Sequence, residues 1–456
     1  MNRTRESFKH SNILSKIRGS FKDTLKGDVA GTGISTTDCL MSGLAIFALK
    51  YESLLQFDKE RGSEKVTRYN LSSLYGVKKA PCDTYLRERL DGQELSVIRN
   101  ANAKLFGLLQ RSKVVELWKF LDNKYLVSLD ASGFFSSSNV KCNCCCEKVL
   151  HKGSNKEETI YHHQMLVGSM VSPSMKQVFP MEFMPIIKED GAKKNECERS
   201  CAKRWLKVFR QYHPQLPVII VADGLYSNGP FIKELASHRC SYILVAKEDD
   251  HKYLYDYFFV KSETSNIEVA DDNNTEEACE FECDIRDKNG VVIKRHKYRF
   301  MNKVPLNDAN YELKVNVLYF IEYDTKTKKE RKWLWVTDIP INKGNAKLIM
   351  QGGRARWKIE NETFNTLKNQ GYNFEHNYGH GYKTLSNVFA GLMLLAFYVD
   401  QILEACNLEF KKLIEKYGSR SSCFEKIRGR FFCFMISSYE RLYEFMINGP
   451  PVEFVL

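Results

Sequence analysis

PVIIVADGLYSNGPFIKELASH, residues 217–238, is the stretch on which the fold turns. Five apolar residues, 218–222, are too few for a buried helix and enough for a buried strand, which ends at Asp223 and turns at Gly224. NGPFIKELASH then has helical patterning, and SYILVAK, residues 241–247, is a second apolar strand. Strand, turn, helix, strand is the βαβ texture of a central sheet covered by helices, so the fold class is α/β. An acidic residue at the carboxyl end of such a strand projects into the crevice that α/β sheets use for ligands.

Working outward, YLVSLD at 125–130 repeats the pattern: a short apolar strand ending on Asp130. Asp122 precedes that strand and is the weaker candidate. From about His251 to Trp335 the sequence alternates and is rich in β-branched and aromatic residues, as in VVIKRHKYRFM, YELKVNVLYFIEYD and KKERKWLWVTD, with turn signals at DDNN (271–274) and DKNG (287–290). This reads as an antiparallel β segment inserted into the α/β unit.

Both ends are helical. TDCLMSGLAIFALKYESLL and KLFGLLQRSKVVELWKFLD are apolar at helical spacing, and after Pro340 come GGRARWKIENETFNTLKNQ and an apolar helix from Leu385 to about Ala405. The expected organisation is a helical region at 1–120, a first part of the α/β core at 121–250, the β insertion at 251–338, a second core part at 339–405 and a helical C-terminal region at 406–456. Within the first region, a helix reaching Gly76, a turn with Lys78, Lys79 and Pro81, and a second helix capped by Asp83 and bearing Arg87 and Arg89 form either a helix-turn-helix or an ordinary helical hairpin.

Composition narrows the function. With 456 residues, 43% hydrophobic and 27% charged, the chain is neither a disordered tail nor a membrane bundle, and a formal charge of +12 suits a polyanionic partner. The longest apolar stretch, VFAGLMLLAFYV at 388–399, is shorter than the roughly 20 residues that span a bilayer and reads as a core helix. The N-terminus lacks the apolar segment of a secretion signal, so the cytoplasm is the expected location.

Asp130, Asp223 and Glu360 stand where chemistry would place carboxylates: two at strand ends and one on a predicted helix. If they converge, the concentrated negative charge calls for a divalent ion, and oxygen ligands without His or Cys suit Mg²⁺ or Mn²⁺. Two such ions support in-line phosphoryl transfer with no protein nucleophile. Taken singly, each acid is also explained as a turn cap or a solvated face.

The segments YLVSLDASGFFSS, YHHQMLVGSMV, VIIVADGLYSNGPFIKEL, TDIPINKGNAKLI and RARWKIENETFNTLKNQGYNFEHNYGHG together resemble the DDE transposases of bacterial insertion sequences, in the branch with a Tyr-Arg-Glu-Lys signature and a β insertion. The resemblance runs from about Leu71 to Tyr382. It implies an RNase H-like catalytic core, a magnesium-binding triad of Asp130, Asp223 and Glu360, and double-stranded DNA as substrate: terminal inverted repeats and target, held by a homodimer in a synaptic complex. Arg356, four residues before Glu360, takes the place of the signature Arg. The signature Tyr falls at Gly353 and the Lys at Leu367, one residue before Lys368. That extra residue turns Lys368 away from the face of Glu360 unless the helix carries a bulge. Glu362 is the competing acid, but the spacing from Arg356 favours Glu360.

Fourteen cysteines are too dilute for a disulfide scaffold. KCNCCCEKVLHKGSNKEETIYHHQM gathers several of them with histidines, and a C-x-x-C of Cys142 and Cys145 with His151 and His162, or with His163, would suit a structural Zn²⁺. Cys197 and Cys201 are further donors, and buried thiols with a core histidine are the alternative.

DNA contacts are expected from Arg354, Arg356 and Lys368 near the site, from Lys78, Lys79, Arg87 and Arg89, from Lys326, Lys328, Lys329, Arg331 and Lys332, and from Arg428 and Arg430. Trp333 and Trp335 alternate on one strand, so they share a side, either as core or as a platform for DNA. Three functions fit these features: a transposase that cuts transposon ends and joins them to target DNA, a metal-dependent nuclease of the same fold, and a DNA-binding protein derived from a transposase with decayed catalysis.

Overall fold

The computed structural model describes residues 6–26, 33–188, 197–264 and 277–449. The DDNN turn lies outside them. Ten strands form one sheet among the described residues: β1 (Tyr125–Ser137), β2 (Cys146–Leu150), β3 (Glu158–Val171), β4 (Phe179–Ile186), β5 (Val218–Ala222), β6 (Ser241–Val245), β7 (Cys279–Arg286), β8 (Val292–Pro305), β9 (Lys314–Asp324) and β10 (Lys329–Thr337). Their order is β2-β3-β1-β5-β6-β10-β9-β8-β7, with β4 pairing on β3.

The centre of the sheet is parallel, because β1, β5 and β6 run the same way and a helix, Gly229–Ser237, crosses from β5 to β6. Asn228 caps that helix, its side chain accepting from Phe231 N. All five residues of β5 are buried, as expected for a strand covered on both faces. Outside the parallel centre the sheet is antiparallel: β3 and β4 follow β1 on one side, and the meander β7 to β10 joins β6 on the other. The alternating segment thus continues the central sheet rather than standing apart from it.

Its beginning departs from the sequence pattern, because Lys252–Thr264 is a helix. Leu254 and Phe258, four apart, are its buried pair, and that spacing belongs to a helix face.

Helix Glu198–Tyr212 packs on the β3–β4 hairpin through Trp205, whose indole Nε1 donates to Glu182 O at 3.0 Å. Gly168 on β3 makes room: a Cβ there would stand 2.0 Å from Trp205 Cζ2. This close approach fixes where Glu198, at the start of the helix, meets the sheet.

The helices of the first 120 residues pack with those of the C-terminus around helix Leu385–Cys406. That helix has the span expected from its sequence; at 22 residues it is long and apolar enough to cross a membrane, but 94% of its most apolar window is buried by protein. Lys50 reaches it, 2.8 Å from Asp400, with Tyr372 donating to the same carboxylate. Asn70 holds the carbonyls of Phe431 and Phe434 and the amide of Ile436, joining the two chain ends. Gly76, at φ 67°, ends helix Lys65–Tyr75, and helix Asp83–Leu90 follows, with Cys82 rather than Asp83 at its N-cap.

Candidate active site

The β1–β5 register decides where the two aspartates lie. Ser128 is level with Val221, the last registered pair; Asp130 follows two residues along β1 and Asp223 stands just past the end of β5, so both lie at the same end of two neighbouring strands. Opposed residues of a parallel pair project to the same face, and that face is marked by Ser128, whose hydroxyl donates to Arg356 O at 3.1 Å. The segment carrying Glu360 therefore lies over the ends of these strands.

Arg356 joins the acids. Its Nη1 is 2.9 Å from Glu360 Oε1 and 4.0 Å from Asp130 Oδ2, and its side chain is only 13% exposed, against 20% for Asp130 and 41% for Glu360. Asp130 Oδ1 also accepts from Ala131 N at 3.0 Å, and Asp223 Oδ1 caps the turn Gly224–Tyr226 by accepting from Leu225 N at 3.0 Å. Burial pushes the Asp130 carboxyl up to about 7; the Ala131 amide and Arg356 oppose this, and Glu360 and Glu198 add to it. The group is thus short of positive charge.

Glu198 and Tyr226 are participants that the sequence reading missed. Tyr226, buried in the turn after Asp223, donates to Glu198 Oε1 at 2.6 Å. Burial raises the Glu198 carboxyl above its ordinary range, Tyr226 opposes the shift and Asp223 adds to it. Glu198 thereby senses Asp223, and Asp130 senses Glu198, so one field covers four carboxylates. The only signal was an acid in the first turn of an amphipathic helix, which ordinarily complements the helix dipole.

Glu360 lies in a π-helical turn, Ile359–Phe364. Such a turn takes up one extra residue, which is the slippage needed by the eight-residue spacing from Glu360 to Lys368. Lys368 itself pairs with Glu375 at 2.7 Å. Glu362 points elsewhere: its charge acts on Lys358 and on Arg420 of the C-terminal helices. Asp122 is exposed in the turn before β1.

Among the expected DNA contacts the structure divides core from surface. Trp335 is 1% exposed, and a Cβ on Gly353 would lie 2.5 Å from its Nε1. The indole fills the space beside Gly353, so Trp335 is core and not a platform for DNA. Trp333 is half-buried against Phe320, with the Arg354 guanidinium 5.0 Å over its ring and Arg354 Nη1 3.3 Å from Glu322. Arg428 is turned inward, donating to Lys50 O at 2.7 Å. Lys78, Lys79, Lys326, Lys328, Lys329, Arg331 and Lys332 are exposed. Trp357, next to Arg356 and 54% exposed, is the large aromatic at the site that the sequence reading left unremarked.

Of the histidines named from the sequence, only His163 joins the Cys/His group, and the second is His380. Cys142, Cys145, His163 and His380 offer donor atoms within 4.8 Å of one another, a set that could hold a metal ion. His151 is exposed in the turn after β2 and is not in the group. His162 is excluded because successive residues of β3 face opposite sides, and it is His163 that faces the cysteines. Cys197 is exposed, and Cys201 is buried against the carbonyls of Met184 and Pro185.

A family model described as the transposase DDE domain matches residues 151–398, more than half of the chain. The chain belongs to the DDE transposase family. Asp223 and Glu360 lie within the matched span, and Asp130 lies just before it on the strand paired with β3 and β5. No curated protein matches the chain. Membership makes this an enzyme family that acts on DNA, which is consistent with the excess of basic residues.

Proposed function

We propose that this DDE transposase cuts DNA at the ends of its element and joins the freed 3′-hydroxyls to target DNA, with Asp130, Asp223 and Glu360 as the catalytic ligands of divalent metal. The observation that carries this reading is that Asp130 and Asp223 stand at the same end of the parallel β1–β5 pair, with Arg356 tying Glu360 to Asp130. The strand order β4-β3-β1-β5-β6 around the acids supports an RNase H-like core, with the meander β7–β10 as the insertion. Arg356, Glu360 and, across the π turn, Lys368 support the signature branch, with Trp335 in the space beside Gly353 where the family Tyr would stand.

The donor set fits Mg²⁺ or Mn²⁺: partly exposed carboxylate oxygens, an excess of negative charge, and a single arginine against it. When bound, such ions supply Lewis-acid activation of the attacking and leaving oxygens. The protein's own residues do the rest. The rigid β1–β5 pair fixes the spacing of the aspartates, Arg356 holds Glu360 toward them, and Tyr226 orients Glu198 behind Asp223. Arg356 also offers the charge-assisted donors that a phosphate in the site would engage. Exposed lysines of the β9–β10 hairpin neutralise flanking phosphates, so binding weakens with salt. Terminal repeats, target and a second protomer complete the proposed synaptic complex.

The test is purified protein with Mg²⁺ and linear DNA bearing the element's terminal repeats. Joined products support this reading. Nicks without joining indicate a nuclease, and a gel shift without cleavage indicates a decayed DNA-binding protein; either overturns it.

A further inference from the structure

We propose that Cys142, Cys145, His163 and His380 form a closed structural zinc site that pins the loop at residues 372–383 to the β1–β2 connection and to β3, independently of the acidic site. A tetrahedral Zn²⁺ with bonds of about 2.3 Å to sulfur and about 2.0–2.1 Å to nitrogen requires donor separations of about 3.8 Å for two sulfurs, about 3.5 Å for sulfur and nitrogen, and about 3.3 Å for two nitrogens. The observed separations are 3.8 Å for Cys142 Sγ to Cys145 Sγ, and 3.3 and 3.4 Å from these sulfurs to His163 Nε2. Cys145 Sγ is 3.3 Å and His163 Nε2 3.1 Å from His380 Nε2. These are five of the six edges of a ligand tetrahedron, and the sixth, from Cys142 to His380, is within 4.8 Å.

The surroundings suit thiolates and neutral imidazoles. The amides of Cys142 and Cys144 donate to Cys145 Sγ and Cys142 Sγ, each at 3.4 Å, as backbone amides do toward negatively charged sulfur. His380 Nδ1 lies 3.2 Å from Gly381 O, a contact that directs its Nε2 inward as a ligand. Phe134 and Phe135 pack against the rings of His163 and His380 and close the inner side. Cys142 is half-buried and lines a cleft of about 1160 Å³, which gives the ion its entry path. Four protein donors leave no open position, so the site is structural rather than hydrolytic. Binding releases the two thiol protons and joins segments that are 18 to 238 residues apart in sequence.

The experiment is metal analysis by mass spectrometry on the full-length protein, purified under reducing conditions without added metal. One zinc per chain is expected. Cys142→Ser and Cys145→Ser should each lower it to less than about 0.1, while His151→Ala and His162→Ala should leave it at one. Replacement of zinc by Co²⁺ should give the intense visible bands of a tetrahedral cobalt thiolate. Should the variants fail to fold, chelation of the native protein decides: amide exchange at residues 137–146 and 372–383 should rise, and Zn²⁺ but not Mg²⁺ should reverse it. Native protein lacking zinc, a Cys142–Cys145 disulfide, or exchange unmoved by chelation would each overturn the proposal.

Discussion

The acidic site, at the ends of β1 and β5, and the Cys/His group, between the β1–β2 connection, β3 and the loop with His380, are built on opposite plans. At the acidic site, carboxylates crowd together with one arginine between two of them, and Glu360 remains open to solvent. In the Cys/His group, soft donors meet at ligand distances, three of the four residues are buried, and aromatic rings cover the inner side. One is under-neutralised and open; the other is geometrically complete and closed. A site that must admit DNA and ions keeps its charge unbalanced until they arrive, whereas a site that only holds the fold together is finished without a substrate.

This contrast can be broken in several ways. The largest expected effect is on chemistry: Glu360→Gln should lower DNA cleavage by about 10³-fold or more, while Glu362→Gln, which faces Lys358 and Arg420, should stay within about threefold. Equal losses in a cleavage assay would remove the distinction between the two glutamates. Next, Cys145→Ser should lower the unfolding free energy in urea by at least about 3 kcal/mol, since metal binding and folding are coupled, and should leave the acidic site's response to Mg²⁺ unchanged.

Asp130→Asn should act in the opposite sense. The folded carboxyl titrates near 7 because of burial, against about 3.9 unfolded, so the folded state binds this proton more tightly. That contribution to stability is fully present below about 3.9 and is lost as pH rises through 7. At pH 8 without metal, the variant should therefore be more stable by about 1–3 kcal/mol, a gain that shrinks on acidification. Denaturant melts at pH 8 and pH 5 check it; equal gains at both would contradict the charge argument. The smallest effect is that of Tyr226→Phe, which frees Glu198 and should slow cleavage by about tenfold with DNA affinity unchanged.

The two strand-end aspartates were legible because a five-residue apolar run ending in an acid constrains both strand and position. The remainder of the site depended on contacts between distant segments. His380 is 217 residues from His163, so local spacing offered His151, His162 and His163 but not the fourth donor. Alternation told that Trp333 and Trp335 share a side, but not that Gly353 lets the second sink into the core. The extra residue before Lys368 hinted at a bulge, which the folded chain realises as the π turn holding Glu360. Lys252–Thr264 misled because its aromatic and β-branched content resembles a strand, while Leu254 and Phe258 carry the helical spacing.

The central claim is that the strand-end carboxylates are metal ligands, and exchanging the hardness of one ligand tests it most directly. Asp223→Cys places a soft sulfur where Mg²⁺ requires oxygen and Mn²⁺ tolerates sulfur. On DNA carrying the terminal repeats, this variant should fail to cleave in Mg²⁺ and recover cleavage in Mn²⁺, with DNA binding unchanged in both. Full activity in Mg²⁺, or no recovery in Mn²⁺ from a folded protein that binds DNA, would contradict it.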